Sequence, residues 1–216
     1  DPLWSRGLGD VYKRQGQTRL AEQIRTLRTR RLWGAYLTSG LIICATFAAF
    51  SYCTPILIEE VGLAPGQVAP MLALYGVANL IGNMLVGRVA DSHTISVVGL
   101  GLAMMVLVMS VFALAGDNLW LNLSCFIAIG LTGVALNPAM VARVMKAAEP
   151  GALVNTLHTS VITAGLAFGS WAGGAAIEAG YGLRAPLWVG AAIALLGLLS
   201  VLRPLASRHT ATTPCT

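Results

Sequence analysis

Long apolar segments separated by short polar connections dominate the pattern of this chain. Each segment approaches or exceeds the ~20 apolar residues that an α-helix needs to cross the hydrocarbon core of a bilayer. Because backbone groups in lipid must satisfy their hydrogen bonds internally, such segments form helices, and the period-2 alternation of an outer-membrane strand is absent. The pattern predicts an all-α membrane protein with six transmembrane helices, at residues 33–58, 68–90, 94–115, 119–140, 153–177 and 185–202.

Composition and charge support this fold class and add an orientation. The chain is 56% hydrophobic and 11% charged, whereas an ordinary soluble domain carries about 25% charged residues. Beyond residue 15, ten basic residues fall on one set of alternate connections and termini, and one, Arg184, falls on the other with Glu59, Glu60 and Asp117. Lys and Arg are retained in the cytoplasm, so we expect both termini there. The net charge of +5 then reflects topology and anionic lipid, not nucleic acid.

Four regions are expected along the chain. Residues 1–15 end in a stretch that resembles translated sequencing adaptor, so we treat them as non-native. Residues 16–32 form a basic linker, either a helix on the membrane surface or a solvated segment. Residues 33–205 form the six-helix bundle, and residues 206–216 a cytoplasmic tail. Cys44, Cys53 and Cys125 fall inside predicted helices at spacings that suit neither a disulfide framework nor a metal site, and no cofactor is expected.

Small residues recur on two of the segments at helical spacing. Gly165, Gly169 and Gly173 are four residues apart, with Gly174 beside the last. Glycines in register allow a neighbouring helix to approach closely, so this face, together with Gly82 of the second segment, is expected to pack against another helix. The second and fifth segments occupy equivalent places in a three-plus-three arrangement, which is the pattern of inverted repeats in transporters.

Two prolines are predicted to kink helices. Pro55 and Pro138 lie inside apolar segments, where each removes a hydrogen bond to the carbonyl four residues earlier. Such kinks line cavities in transporters, but membrane helices also tolerate proline for structural reasons alone.

Several stretches resemble the major facilitator superfamily. They are FSYCTPIL, GNMLVGRVADS, LNPAMVARVM and GLAFGSWAGGAAIEAGYGLRAPLWVGA, and the likeness extends over residues 17–205. They are most similar to the drug:proton antiporter branch, particularly the arabinose- and sugar-efflux-like permeases. The resemblance implies the C-terminal six helices, two inverted three-helix repeats, of a twelve-helix transporter in the bacterial inner membrane. It further implies alternating-access export of small molecules such as drugs or sugars, with proton coupling supplied by an N-terminal six-helix bundle that is missing here.

The resemblance also implies a gating loop at Gly87, Arg88 and Asp91. Arg88 and Asp91 are spaced i, i+3 and can pair across a helix end, with an effect of up to about 1 kcal/mol on the balance of conformations. Arg88 can equally be a simple topological anchor. The family's usual basic residue after the aspartate is replaced here by Ser92, which weakens the match.

Polar and aromatic side chains deep inside the helices are candidates for a substrate cavity, because such groups are costly in lipid unless they face a cavity or a partner. These candidates are Tyr52, Thr54, Tyr75, Asn79, Asn155, His158 and Thr159. Asn79 and Asn83 can instead make hydrogen bonds between helices. His158 is either a proton relay or a satisfied polar residue. No Asp or Glu lies in the middle of a predicted helix, so a coupling carboxylate is expected in the missing half.

Two other classes of protein are weighed against a transporter. Asn137-Pro138-Ala139 matches the tripeptide of aquaporin-like channels, although such pores use two copies at the tips of opposed half-helices. A non-transporting membrane scaffold is the other alternative. An enzyme is not expected, because no nucleophile–base pair, metal cluster or phosphate loop can be assembled from the sequence.

Overall fold

The computed structural model describes residue 27, residues 29–148 and residues 151–209, with side chains as far as residue 202. The regions predicted at 1–15, 16–32 and 206–216 lie wholly or largely outside these residues. The helices are α1 (Arg30–Phe50), α2 (Cys53–Pro55), α3 (Pro65–Leu114), α4 (Leu119–Thr132), α5 (Asn137–Ala147), α6 (Ala152–Ala176) and α7 (Ala185–His209). A π-helical turn at Ile56–Glu60 extends α2, another at Ile177–Tyr181 extends α6, and a 3₁₀ turn at Val134–Leu136 joins α4 to α5.

Five of the described helical stretches are long and apolar enough to cross a membrane. They are Arg30–Phe50, Pro65–Leu114, Leu119–Ala147, Ala152–Tyr181 and Ala185–Leu202. The second and third predicted segments both fall within α3, as two helices that meet at a kink with no loop between them. At 50 residues, α3 is more than twice as long in sequence as the ~20 residues that cross a hydrocarbon core. Its backbone leaves the helical region at His93 (φ −127°, ψ 39°), which divides it into arms of residues 65–92 and 94–114.

The helix interruptions near the two internal prolines lie before the prolines themselves. A turn at Ser51–Tyr52 separates α1 from α2, four residues before Pro55. Gly133 (φ −72°, ψ −102°) ends α4 and is followed by the 3₁₀ turn. Pro138 then falls in the first turn of α5, where a missing N–H costs little. The expectation that Pro138 lies inside a continuous helix is wrong, because the chain has already broken at Gly133.

The bundle core is built on α1 and α3. α1 packs against α6 and α7, and α3 packs against α4, α5 and α7. Fully buried aliphatic side chains such as Ile42, Leu102, Met105 and Leu136 fill the space between them. Large apolar side chains on the outer faces remain exposed, for example Leu80 (62%), Leu107 (57%) and Trp120 (78%). A soluble protein would bury such a surface, whereas lipid tails cover it without cost.

The closest helix contact in the bundle is the seam between α1 and α6. Gly165 lies against the carbonyl of Gly40, Gly169 against that of Cys44, and Gly173 against that of Ala48. The two helices run in the same direction, since each step of four residues on α6 matches a step of four on α1. A Cβ added at Gly165 would lie 2.6 Å from the oxygen of Gly40, so a larger side chain cannot fit.

Gly174 and Gly82 make further close contacts. Gly174 faces the hydroxyl of Tyr52, at the end of the same seam. Gly82 of α3 packs against α4, where an added Cβ would lie 2.5 Å from the carbonyl oxygen of Leu131. Glycine at these positions lets the helix backbones come close enough for dispersion and Cα–H···O contacts, which drive association of helices in lipid.

Candidate functional site

The side of α6 away from α1 carries a row of polar side chains that no described residue covers. Asn155, Thr156, Thr159, Ser160 and Thr163 are all exposed and line a groove of about 560 Å³, within the ~300–1,000 Å³ of small-molecule sites. We call these five side chains the hydroxyl face of α6. Their spacing follows the i, i+3, i+4 rule for one side of a helix.

Three of the four hydroxyls of this face donate hydrogen bonds within their own helix. Thr159 Oγ1 donates to the carbonyl of Asn155 (3.1 Å), Ser160 Oγ to that of Thr156 (3.0 Å) and Thr163 Oγ1 to that of Thr159 (3.0 Å). Each hydroxyl oxygen keeps its lone pairs free to accept a hydrogen bond from the groove. The arrangement provides a continuous row of acceptors, with the amide of Asn155 at one end.

Asn155 and Thr159 are the two predicted cavity residues that the structure brings together. The sequence reasoning did not place Thr156, Ser160 and Thr163 with them, although the helical spacing from Asn155 contains that signal. Asn79 is half-buried on α3 and Thr54 is exposed at the end of α2, and neither lines the groove.

Tyr52 and Tyr75 are held in helix contacts. Tyr52 donates a hydrogen bond from its hydroxyl to the carbonyl of Ser170 (2.8 Å) and thus closes one end of the α1–α6 seam. Tyr75 is buried between Phe50 and Phe126, with ring centroids 4.9 Å and 5.1 Å away. It borders a void with room for about one water molecule, about 10 Å³, which is too small for a substrate.

His158 lies on the buried side of α6. Its ring stacks on Tyr36 of α1 with centroids 5.9 Å apart and planes 17° apart, and only 2% of its surface is exposed. The Tyr36 hydroxyl donates to the carbonyl of Val154 (2.8 Å). Among the described residues, Nε2 of His158 has no hydrogen-bond partner. The ring therefore packs between α1 and α6 and does not face the groove.

The predicted gating residues lie at the break in α3, where Gly87, Arg88 and Asp91 are all exposed. The structure records no ion pair between Arg88 and Asp91, since the ion pair found among the described side chains is Arg184–Glu60. Instead the ammonium of Lys146 donates to the backbone carbonyl of Asp91 and to the hydroxyl of Thr94 (2.7 Å). Lys146 is one of the ten basic residues on the side predicted to be cytoplasmic, and the charge pattern alone does not predict this contact. We call this end of the bundle the His93 end.

At the opposite end, which we call the Arg184 end, one arginine joins three parts of the chain. Arg184 Nε donates to Glu60 Oε2 (2.9 Å), and its Nη2 donates to the carbonyl of Gly116 (2.7 Å). Its Nη1 donates to the carbonyl of Phe112 (3.3 Å) at the end of α3. The arginine thus ties the start of α7 to the π turn after α2 and to the C-terminal end of α3.

These features define a polytopic helical membrane protein with one polar helix face left uncovered. The model of the Major Facilitator Superfamily matches residues 36–214, and the chain belongs to this family, whose members are transporters. It is 32% identical over 182 residues to "Inner membrane transport protein YdhP" of Escherichia coli (strain K12), covering 83% of this chain and 46% of that protein. Family membership excludes the aquaporin-like channel suggested by Asn137-Pro138-Ala139.

Other relatives carry names that refer to efflux or resistance. The chain is 24% identical over 181 residues to "Chloramphenicol resistance protein" of Streptomyces lividans, covering 83% of this chain and 46% of that protein. It is 28% identical over 184 residues to "Probable sugar efflux transporter" of Haemophilus influenzae (strain 86-028NP), covering 83% and 44%. The chain thus spans about half the length of the relatives it matches.

Proposed function

We propose that this chain is the C-terminal bundle of a secondary active transporter that exports small molecules by alternating access. In this proposal the hydroxyl face of α6 borders the aqueous route and meets a second, N-terminal six-helix bundle. The two bundles rock about a site near the middle of the membrane.

The hydroxyl face is the observation that carries the proposal. α6 and its π turn form the least buried of the five candidate spans, with 17% of the most apolar window buried against 39–67% for the others. It is also the span whose exposed face holds five polar side chains in a row. An amide is expensive in hydrocarbon and is tolerated where it meets water or a polar partner. The remaining half of the relatives' length supplies such a partner.

The membrane topology is part of the same proposal. Because the arms of α3 on either side of His93 are each long enough to cross a bilayer, we infer six crossings arranged as two inverted three-helix repeats. Arg88, Arg143 and Lys146 would lie on the cytoplasmic side of the inner membrane with both termini. Arg184, the basic residue expected outside, has its charge balanced by Glu60.

The substrate class and the coupling follow from the relatives and from the acidic residues. Relatives named for chloramphenicol resistance and for sugar efflux suggest a drug or a sugar as substrate. In the part of the chain with described side chains, the acidic residues lie near helix ends or, for Asp91, beside the kink in α3: Glu59, Glu60, Asp91, Asp117 and Glu178. We therefore expect protons to be carried by a carboxylate of the N-terminal bundle.

Transport measured with and without a second bundle tests the proposal. Inverted vesicles would carry this chain alone, or this chain co-expressed with the N-terminal half of the 32%-identical E. coli relative. Uptake of radiolabelled chloramphenicol and arabinose is then followed under an imposed pH gradient. We expect gradient-dependent uptake of one of them only when both bundles are present. Uptake by this chain alone, abolished by His158→Ala, would contradict the proposal, as would no uptake of either probe with both bundles.

Cysteine labelling tests the topology separately. Single cysteines at positions 60 and 146 would be exposed to a membrane-impermeant maleimide in intact cells. We expect labelling at position 60 and none at position 146 until the cells are permeabilised. The reverse pattern would overturn the assignment of both termini to the cytoplasm.

A further inference from the structure

The break in α3 at His93 has no glycine or proline to cause it. The residues there are Asp91, Ser92, His93 and Thr94, which can all continue a helix. When a helix stops, its last carbonyls lose their partners and must be satisfied by other groups. The structure shows three successive carbonyls, at residues 89, 90 and 91, each receiving a hydrogen bond from a side chain.

Two of these side chains belong to α3 itself. Ser92 Oγ donates to the carbonyl of Val89 (3.2 Å), and Thr94 Oγ1 donates to that of Ala90. His93 Nδ1 lies 2.9 Å from Ser92 Oγ, which extends this local network. These contacts satisfy the end of the first arm, but they join residues that are neighbours in the chain. They cannot fix the position of the break relative to the rest of the bundle.

The third contact comes from a different helix. Lys146, in the last turn of α5, donates to the backbone carbonyl of Asp91 and, at 2.7 Å, to the hydroxyl of the buried Thr94. A cation is favoured at a helix C-terminus, where the unpaired carbonyls concentrate negative charge. The ammonium thus spans both sides of His93, with one bond to each arm of α3.

We propose that Lys146 is the positioning residue of the segment Gly87–Asp91, which lies at the end of the first arm of α3. It binds the segment through a backbone carbonyl and the Thr94 hydroxyl, so the carboxylate of Asp91 is not needed to hold it. Arg88 and the carboxylate of Asp91, both exposed, are left free. The inference rests on the proposed function where it concerns transport: the segment moves with α5, and Arg88 and Asp91 present their charges to the second bundle.

Hydrogen exchange of the 216-residue chain purified in detergent tests the contact without any transport assay. Backbone exchange of peptides covering residues 88–98 is compared in Lys146→Met, Lys146→Arg, Asp91→Asn and Arg88→Gln variants. We expect about tenfold faster exchange in Lys146→Met, as for the loss of a charged hydrogen bond. Lys146→Arg should keep most of the protection because it keeps a cationic donor. Asp91→Asn and Arg88→Gln should exchange like the parent chain.

Peptides from the α1–α6 seam serve as the internal reference for global folding. Unchanged exchange of residues 88–98 in Lys146→Met would overturn the proposal. Equal acceleration in Asp91→Asn would also overturn it, because the carboxylate would then hold the segment.

If Lys146→Met does not fold, the exchange of residues 88–98 is compared between Thr94→Val and Thr94→Ser instead. The first removes the hydroxyl that accepts from Lys146 and donates to Ala90, and it should accelerate exchange, whereas the second keeps both bonds. Equal exchange in these two variants would also refute the role of Lys146. Because no step needs a second bundle, failure here is distinguishable from failure of the proposed transport.

Discussion

Replacing Gly169 with alanine adds a single methyl group at the centre of the α1–α6 seam. Its Cβ would collide with the carbonyl oxygen of Cys44 and lie 2.9 Å from the carbonyl carbon and 3.0 Å from the Cα of that residue. All three atoms belong to the backbone of α1, which cannot rotate away as a side chain can. The helices must therefore separate, and the matching contacts at Gly165 and Gly173 loosen with them.

The size of the stability loss follows from two unfavourable effects and one favourable effect. Overpacking of a close contact costs ~1–3 kcal/mol, and each weakened Cα–H···O contact along the seam forfeits ~0.5–1 kcal/mol. Alanine in a helix is favoured over glycine by ~1 kcal/mol, which partly offsets the loss. A matched control removes this last effect. Gly76→Ala in α3 has the same propensity gain, and an added Cβ there meets nothing within 4 Å. We expect Gly169→Ala to be less stable than Gly76→Ala by ~2–3 kcal/mol.

Unfolding in mixed micelles, with helix content followed by circular dichroism as dodecyl sulfate is increased, measures this difference. A gap of ~2–3 kcal/mol changes the ratio of folded to unfolded chain by roughly 30- to 150-fold. Gly169→Leu should lose more stability than Gly169→Ala, because the whole leucine side chain would have to enter the seam. If Gly169→Ala is as stable as Gly76→Ala, α6 does not rest on α1 through its glycines and the reasoning fails.

Two other sites give separate predictions. Arg184→Met should destabilise the chain by more than Glu60→Gln, because the arginine also donates hydrogen bonds to carbonyls of two other segments. A double-mutant cycle of the two residues should give a coupling energy of ~1 kcal/mol. Equal losses of stability in the two single variants would contradict this prediction. His158→Phe should keep the stability of the chain to within ~1 kcal/mol, because phenylalanine keeps an aromatic ring against Tyr36 and removes an unpaired polar atom. The same substitution should leave transport by the two-bundle protein intact. Loss of transport with unchanged stability would assign His158 to proton transfer.

The fold class and the family could be predicted from the sequence because they depend on local, repeated features. Apolar segments near 20 residues long indicate membrane helices, and the order of the short motifs identifies the family. The absence of a loop between the two arms of α3 could not be predicted. The polar residues at 91–93 resemble a connection, and the side chain that stabilises their geometry, Lys146, is more than 50 positions away.

Which of the predicted cavity residues lie together in the structure depends on how each helix is rotated about its own axis. Asn155 and Thr159 face the groove, whereas His158, on the same helix, faces α1. Tyr52 and Tyr75 both lie well inside predicted helical segments, yet they contact Ser170 and Phe126 and not a substrate cavity. A polar side chain within an apolar segment indicates that a partner exists, but the sequence alone does not tell whether the partner is a neighbouring helix or a cavity.

Water access to the hydroxyl face of α6 tests the central claim most directly. A cysteine at Thr163, which is exposed in the groove, is compared with a cysteine at Leu107, exposed on the outer face of α3. Both are made with Cys215 replaced by serine, since Cys44, Cys53 and Cys125 are buried. In vesicles that hold this chain with an N-terminal bundle, a membrane-impermeant maleimide should modify position 163 and leave position 107 unmodified. If position 163 is as unreactive as position 107, α6 faces lipid, and the chain does not form one wall of a transport route.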